Sequence, residues 1–112
     1  MSFVVGQVIL GKIRFVDGEI PAYNRTYLVV TVESDYIEVL NVSSVKGKER
    51  KLAFPTNERL RTYNPPFVMP SFVKLDSLTR VESADWGNLQ VLNSGRILDG
   101  NELARIKELL WR

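Results

Sequence analysis

The chain has 112 residues, of which 45% are hydrophobic and 25% charged, a composition typical of one soluble globular domain over residues 1–112. Fifteen basic residues against 13 acidic ones leave a net charge of only +2, so the overall charge does not define a partner. Cysteine and histidine are both absent, which excludes disulfides, thiolate metal sites, cysteine nucleophiles and histidine general bases.

The apolar N-terminal run FVVGQVILG does not read as a targeting segment or a membrane span. It has no basic leader and no small-residue cleavage site, and it is far shorter than the roughly 20 residues that cross a bilayer. We therefore expect a cytoplasmic protein with no membrane partner.

The first part of the chain predicts three strands. β-Branched residues and alternation indicate a strand over Gln7–Val16, which ends at the turn signal Asp17-Gly18. After the loop EIPAYNR, the near-continuous apolar run TYLVVTVES is typical of a strand buried on both faces. The turn ESD leads to YIEVLNVSS, whose clean alternation predicts a further strand that ends at Ser43-Ser44.

The middle of the chain is less regular. VKGKERKLAF predicts a basic hairpin tip at Gly47 that returns into a short strand over Lys51–Phe54. The turn formers of PTNERLRTYNPP predict no regular structure beyond a helical turn near Glu58–Leu60. SFVKLDSLTRVES alternates as one strand or as strand-turn-strand, with Asp76 as a turn former without a catalytic role. LQVLNSGRIL predicts a short strand pair around Ser94-Gly95.

The C-terminal segment LDGNELARIKELLWR predicts one amphipathic helix. Asp99 and Glu102 form a capping-box pattern at its start. Its apolar face consists of Leu103, Ile106, Leu109 and Leu110. Several short strands followed by one helix predict a mainly β (α+β) fold, either a small twisted sheet or a partly open β-barrel with the helix packed on it.

Two strand ends carry polar groups with possible chemistry. Arg25 stands at the start of the buried strand, where its guanidinium is either a solvated strand-end charge or a bidentate ligand for a phosphate. Ser43 and Ser44 close the next strand, either as turn serines or as hydroxyls that hydrogen-bond a phosphate oxygen. Neither serine has a histidine to activate it, so the sequence argues against a hydrolase-type serine nucleophile.

Positive charge is concentrated in one segment. Six basic residues lie between Lys46 and Arg61, against only Glu49 and Glu58. This local excess predicts attraction of a polyanion, the alternative being a solvated hairpin. The residues of the tip that carry this prediction are Lys46, Lys48 and Arg50.

Four stretches of the chain, from about Gly6 onward, resemble the MazF/PemK family of toxin endoribonucleases. They are NRTYLVV, VLNVSS, PSFVKLDSLTRV and GRILDGNELARIKELL. The resemblance implies a small SH3-like, partly open β-barrel that forms a homodimer and pairs with a cognate antitoxin protein. It also implies cleavage of single-stranded RNA without metal or cofactor, by attack of the ribose 2′-hydroxyl on the phosphate to leave a cyclic phosphate. Arg25 matches the family's catalytic arginine, and Ser43 its catalytic threonine or serine, with Ser44 one residue away as the alternative.

The chain departs from the family pattern around Arg25. Thr26 follows, where the family commonly has proline, and the preceding loop is DGEIPAYN rather than glycine-rich. A different loop predicts a different base preference, with Glu19, Tyr23 and Asn24 as candidate base contacts and the basic tip as a track for RNA phosphates. The alternative functions are a non-catalytic SH3-like module that binds RNA or protein, and a gyrase-poison-like toxin of the same fold.

Overall fold

Two antiparallel strands, Arg25–Val32 (β2) and Tyr36–Ser44 (β3), form the centre of the fold. A computed structural model describes residues 2–14 and 18–112. The two central strands are paired from Thr26–Val42 to Val32–Ile37, with a register shift between Val29 and Thr31. Both predicted strands are therefore confirmed, and β3 has the predicted bounds.

The outer elements are Val8–Gly11 (β1), Asn57–Arg59 (β4), Ser71–Lys74 (β5), Thr79–Glu82 (β6), Gln90–Val91 (β7) and Gly100–Leu110 (α1). Within the described residues the sheet has seven strands in the order β4-β5-β3-β2-β1-β7, and β6 also pairs with β3. All the printed pairs are antiparallel. One α-helix follows at the C-terminus, so the protein is a small α+β fold dominated by its antiparallel sheet. No helix in the described part of the chain is long and apolar enough to cross a bilayer.

Each face of the sheet is covered by its own hydrophobic core. Leu28, Val30, Leu40 and Val42 face the first core, where Ile106 of α1 packs. Tyr27, Val29, Ile37 and Val39 face the second core, which is closed by Phe3, Ile13, Val81 and Leu89. β2 is thus buried on both sides, as its continuous apolar run predicted.

Two predictions for the segment after β3 are wrong. The strand expected over Lys51–Phe54 is a 3-10 helix over Glu49–Ala53, and Phe54 is 58% exposed, so the segment has no apolar face to place in a sheet. The helical turn expected near Glu58–Leu60 is the edge strand β4. Leu60, which is 2% exposed, anchors it in the core while its N–H donates to the Ser71 carbonyl at 2.9 Å.

Three further predictions are corrected or refined. The first strand covers Val8–Gly11 and is shorter than Gln7–Val16; Phe15 and Val16 of the predicted strand and Asp17 of the predicted turn lie outside the described residues. Residues 71–82 form strand-turn-strand, and Asp76 lies in the turn. The strand pair around Ser94-Gly95 does not form, because Ser94 adopts a φ of 58° in a 3-10 turn; β7 pairs with β1 instead.

The helix begins at the predicted cap, but only half of the capping box forms. The Asp99 carboxylate accepts from the N–H groups of Asn101 and Glu102, both at 3.1 Å. Glu102 is 5% exposed and turns inward, where it accepts from the backbone N–H groups of Arg61 and Thr62 and from Arg105 Nε at 2.7 Å. The sequence pattern predicted that Glu102 caps its own helix, whereas its carboxylate accepts hydrogen bonds from the backbone of a loop distant in sequence.

Arg105 extends this network from α1 to the edge of the sheet. Its Nη1 lies 2.6 Å from Glu58 Oε2, and its Nη2 donates to the Arg59 carbonyl at 3.0 Å. Burial pushes the pKa of Glu102 up, but the hydrogen bonds from Arg105 and from the two backbone N–H groups outweigh it, so the net pKa lies below its ordinary value. The charged pair therefore attaches the helix to β4.

We expect Glu102→Gln to lower the free energy of unfolding by roughly 2 to 3 kcal/mol, because charge-assisted hydrogen bonds to a buried group are lost. Chemical denaturation near neutral pH measures this change. Glu108→Gln, at an exposed position of the same helix, is the matched control and should change stability by less than about 0.5 kcal/mol. Because the folded-state pKa is lowered, the contribution is full above the unfolded pKa and is lost as the pH falls through the folded one. Equal stabilities of the two variants would contradict the role of Glu102.

Candidate functional site

A break in the sheet opens beside Asn41, in the middle of β3. One edge of β3 pairs with β2, and the other is shared between β5 and β6. Continuing the β5 register places Asn41 opposite Lys74, whereas continuing the β6 register places it opposite Ser77. The difference is the three-residue 3-10 turn Leu75–Ser77, which leaves the sheet at this point.

Ser77 holds this turn against β3. Its Oγ accepts the Asn41 backbone N–H at 2.8 Å and donates to the Lys74 carbonyl at 2.6 Å. Thr79 Oγ1 donates to the Ser77 carbonyl at 2.8 Å. A hydroxyl replaces the missing strand partner here, because it both donates and accepts.

The space left by the turn is a cavity of about 270 Å³. It lies at the end of the sheet face opposite α1, because Tyr27 and Ile13 belong to the second core. Three cationic side chains and one carboxylate border it. The lining residues are Ile13, Arg14, Arg25, Tyr27, Asn41, Lys74, Asp76, Ser77 and Thr79.

Lys74 experiences several like charges. Burial lowers its pKa below the ordinary 10.5, and the positive charges of Lys51, Arg25 and Lys48 lower it further, while Asp76 partly opposes them. An anion bound in the cavity would therefore stabilise the protonated form of Lys74. The cavity is electrostatically suited to a phosphate, which accepts hydrogen bonds from both guanidinium and ammonium groups.

Arg25 is the first residue of β2 and pairs with Gly11 of β1. Its Nη2 lies 3.3 Å from the Tyr23 hydroxyl, and its Cζ lies 4.9 Å from the centre of the Tyr23 ring. Tyr23 itself is 62% exposed, so a broad aromatic surface adjoins the cavity. The other two predicted base contacts, Glu19 and Asn24, are exposed in the same loop.

The two predicted catalytic residues do not line one cavity. Ser43 and Ser44 line a second cavity of about 260 Å³, together with Phe67, Met69 and other residues. Arg25 and Ser43 are the next residues beyond the paired Thr26 and Val42, so they lie on neighbouring strands near the same end of the sheet. Their side chains nevertheless line different cavities.

The basic tip contributes unequally to the site. Lys48 is near enough to Lys74 to lower its pKa, and so is Lys51. Lys46 and Arg50 are exposed and do not line the cavity. Of the three predicted tip residues, only Lys48 therefore acts on the cavity that Arg25 and Lys74 line.

Sequence reasoning missed Lys74, Asn41 and Arg14 as site residues and gave Asp76 only a structural role. The available signal was KLDS, where a polar, turn-forming pair interrupts the alternation of the strand. In the described part of the chain, no group of three or more aspartates and glutamates is arranged to hold a metal ion.

A scan of protein-family models finds none that matches the chain, and no curated protein sequence matches it significantly.

We expect Lys51→Ala to raise the pKa of Lys74 toward its ordinary value, because the substitution removes a neighbouring positive charge. An NMR titration of the lysine side-chain signals measures the change. Lys46→Ala removes an equal charge from the same exposed tip and is the matched control, which should leave Lys74 unchanged. An identical pKa of Lys74 in wild type and Lys51→Ala would disprove the cationic cluster.

Proposed function

We propose that this protein is a sequence-selective endoribonuclease that cuts single-stranded RNA without a metal ion, as the MazF/PemK resemblance implies. The observation that supports it is the convergence of Arg25, Lys74 and Asp76 on one cavity in a chain without histidine or cysteine. RNA cleavage by its own 2′-hydroxyl needs a proton acceptor, a proton donor and a group that stabilises charge on the phosphate. A carboxylate, an amine and a guanidinium match these three needs.

In the proposed reaction, Arg25 binds the non-bridging oxygens of the scissile phosphate. Asp76 takes the proton of the 2′-hydroxyl as the 2′-oxygen attacks phosphorus. The bond from phosphorus to the 5′-oxygen breaks, and Lys74 gives its proton to that leaving oxygen. The products are a 2′,3′-cyclic phosphate and a free 5′-hydroxyl, so no water and no metal enters this step.

Lys74 is suited to proton donation because its pKa is lowered by burial and by neighbouring cations. An amine with a lowered pKa gives up its proton more readily and remains protonated at neutral pH only if the shift is moderate. The same cations, Lys48 and Lys51, attract the RNA backbone to the cavity.

Ser43 keeps a secondary place in this proposal. It lies beside Arg25 at the strand ends but lines the neighbouring cavity, so its hydroxyl is suited to contact the adjoining nucleotide rather than the scissile phosphate. Ser44 lines the same neighbouring cavity. Tyr23 is placed to stack on an unpaired base, since its ring is exposed beside Arg25.

The wider biological setting is part of the same proposal. The packing of α1 on one face of the antiparallel sheet fits an SH3-like, partly open barrel. The protein would be the cytoplasmic toxin of a type II toxin–antitoxin pair, acting as a homodimer. Apolar side chains on the surface are available for an antitoxin or a second subunit. They include Val68, Met69, Ile97 and Trp111, which are 75%, 45%, 46% and 49% exposed.

A second candidate function is an RNA-binding module without catalysis. The contact between Arg25 and the exposed Tyr23 ring favours it, because a cation beside an aromatic ring binds single-stranded nucleic acid without any bond being broken. Binding without cutting would identify this function.

We expect the purified protein to cut a long single-stranded RNA in EDTA at a limited set of sites and to leave cyclic-phosphate ends. Arg25→Ala should lower the rate at least about 100-fold, because stabilisation of phosphate charge is lost. Arg96→Ala, which removes an exposed arginine outside the cavity, is the matched control and should keep the rate. End mapping by sequencing gives both the rate and the sites. Full activity of Arg25→Ala would exclude the proposed mechanism, and RNA binding without cleavage by the wild type would select the module.

We expect Asp76→Asn and Lys74→Ala each to lower the cleavage rate by about 10²-fold or more, and Ser43→Ala by less than about tenfold. In the wild type the activity should be present while Lys74 is protonated and lost as the pH rises through its pKa, which lies below 10.5. Lys74→Arg should shift this loss to higher pH. Single-turnover rates across pH, corrected for RNA hydrolysis without protein, measure the effect. A larger loss in Ser43→Ala than in Asp76→Asn would move the chemistry to the second cavity.

A further inference from the structure

Asn41 Oδ1 is a buried polar atom of the cavity that has no hydrogen-bond partner among the described residues. The Asn41 side chain is only 8% exposed, and its Oδ1 accepts nothing there. Its Nδ2 donates to the Thr26 carbonyl at 3.4 Å. Because a carbonyl can only accept, the amide must direct its nitrogen to Thr26 and its oxygen away from it.

An acceptor buried in this way destabilises the folded protein if it stays without a donor. A bound molecule that supplies a donor at this place would remove that cost. The cavity beside Asn41 already has the charges for a phosphate, from Arg25 and Lys74. The ligand that fits therefore carries a hydrogen-bond donor a short distance from a phosphate group.

In RNA the group that meets this description is the ribose 2′-hydroxyl, which lies on the carbon next to the one that bears the 3′-phosphate. DNA has the same phosphate and no donor at this position. Exocyclic amines of bases are also donors, but they lie on the far side of the sugar from the phosphate and differ among the four bases.

We propose that Asn41 Oδ1 accepts a hydrogen bond from the 2′-hydroxyl next to the bound phosphate, and that this contact makes the cavity select ribose over deoxyribose. The inference rests on the proposed function, because it takes the phosphate in the cavity to be that of a nucleic acid. The hydroxyl donates to Asn41 in the bound ground state and turns about its C2′–O2′ bond when it reacts. Asn41 therefore acts in substrate binding and has no part in the proton transfer.

Tyr27 supports the same assignment from the paired position on β2. It lies directly across from Asn41 in the register and is 4% exposed. Burial raises the pKa of its hydroxyl, so the phenol remains neutral and keeps its proton. It lines the cavity as an additional donor for a phosphate oxygen, while Asn41 provides only an acceptor.

The test uses the four ribonucleoside 3′-phosphates and their 2′-deoxy counterparts, which the enzyme cannot cleave because their phosphate has no ester leaving group. Dissociation constants come from NMR chemical-shift titration of the full chain. We expect the wild type to bind the ribo form about fivefold more tightly, the effect of one neutral hydrogen bond. In Asn41→Leu the ratio should fall to about one, with the affinity for the deoxy form unchanged.

Two further variants keep the test decisive. Asn41→Ala serves if the leucine variant does not fold, and it should give the same ratio of about one. Thr79→Val is the matched control, since Thr79 lines the same cavity but its hydroxyl is already bonded to Ser77. It should keep the wild-type ratio.

The outcomes separate this inference from the proposed function. An equal ratio in wild type and Asn41→Leu would overturn the inference even if RNA is cut, and so would failure of the wild type to bind any 3′-nucleotide. A preference for nucleotides with exocyclic amines over the uridine nucleotide, independent of the 2′-hydroxyl, would assign Asn41 to the base and also overturn it. A ribose preference lost in Asn41→Leu supports the inference, whether or not RNA is cleaved.

Discussion

The site depends on the two hydrogen bonds that Ser77 makes where β5 gives way to β6. A sheet edge must satisfy every backbone N–H, and two strands in different registers cannot both continue past Asn41. The Ser77 hydroxyl accepts a hydrogen bond from the Asn41 N–H at 2.8 Å and donates one to the Lys74 carbonyl at 2.6 Å, so both backbone groups are satisfied where the three-residue turn leaves the sheet. The same bonds fix the position of Lys74 and Asp76 at the rim of the cavity.

The rest of the molecule supports this local irregularity from a distance. α1 packs on the opposite face, and Arg105 binds Glu58 on β4, which pairs with β5, the strand that ends at Lys74. The charged groups of the fold thus divide into two kinds. Glu102 and Arg105 compensate each other inside the protein, whereas the cations around Lys74 repel one another and favour an anion from outside.

Much of the fold follows from local pattern. The alternation of YIEVLNVSS and the continuous apolar run of β2 indicate which side chains are buried. Asp99 marks the start of the helix because its side chain accepts hydrogen bonds from the first turn. The prediction failed over 49–60, because β4 is a strand only by virtue of its pairing with β5 and its anchor at Leu60. Arg25 could be found as a charge at a strand mouth. Lys74 and Asn41 could not, because their importance comes from the meeting of two registers, which no short window of sequence contains.

Burial on both faces of β2 and β3 has an evolutionary consequence. Almost every side chain in the middle of these strands belongs to one core or the other, so substitutions there are limited by packing before they can affect recognition. The exposed segment around Tyr23 and Asn24 is under no such constraint. Diversification of relatives with this architecture should therefore accumulate in that loop, with the strand scaffold and the cavity beside Asn41 inherited nearly unchanged.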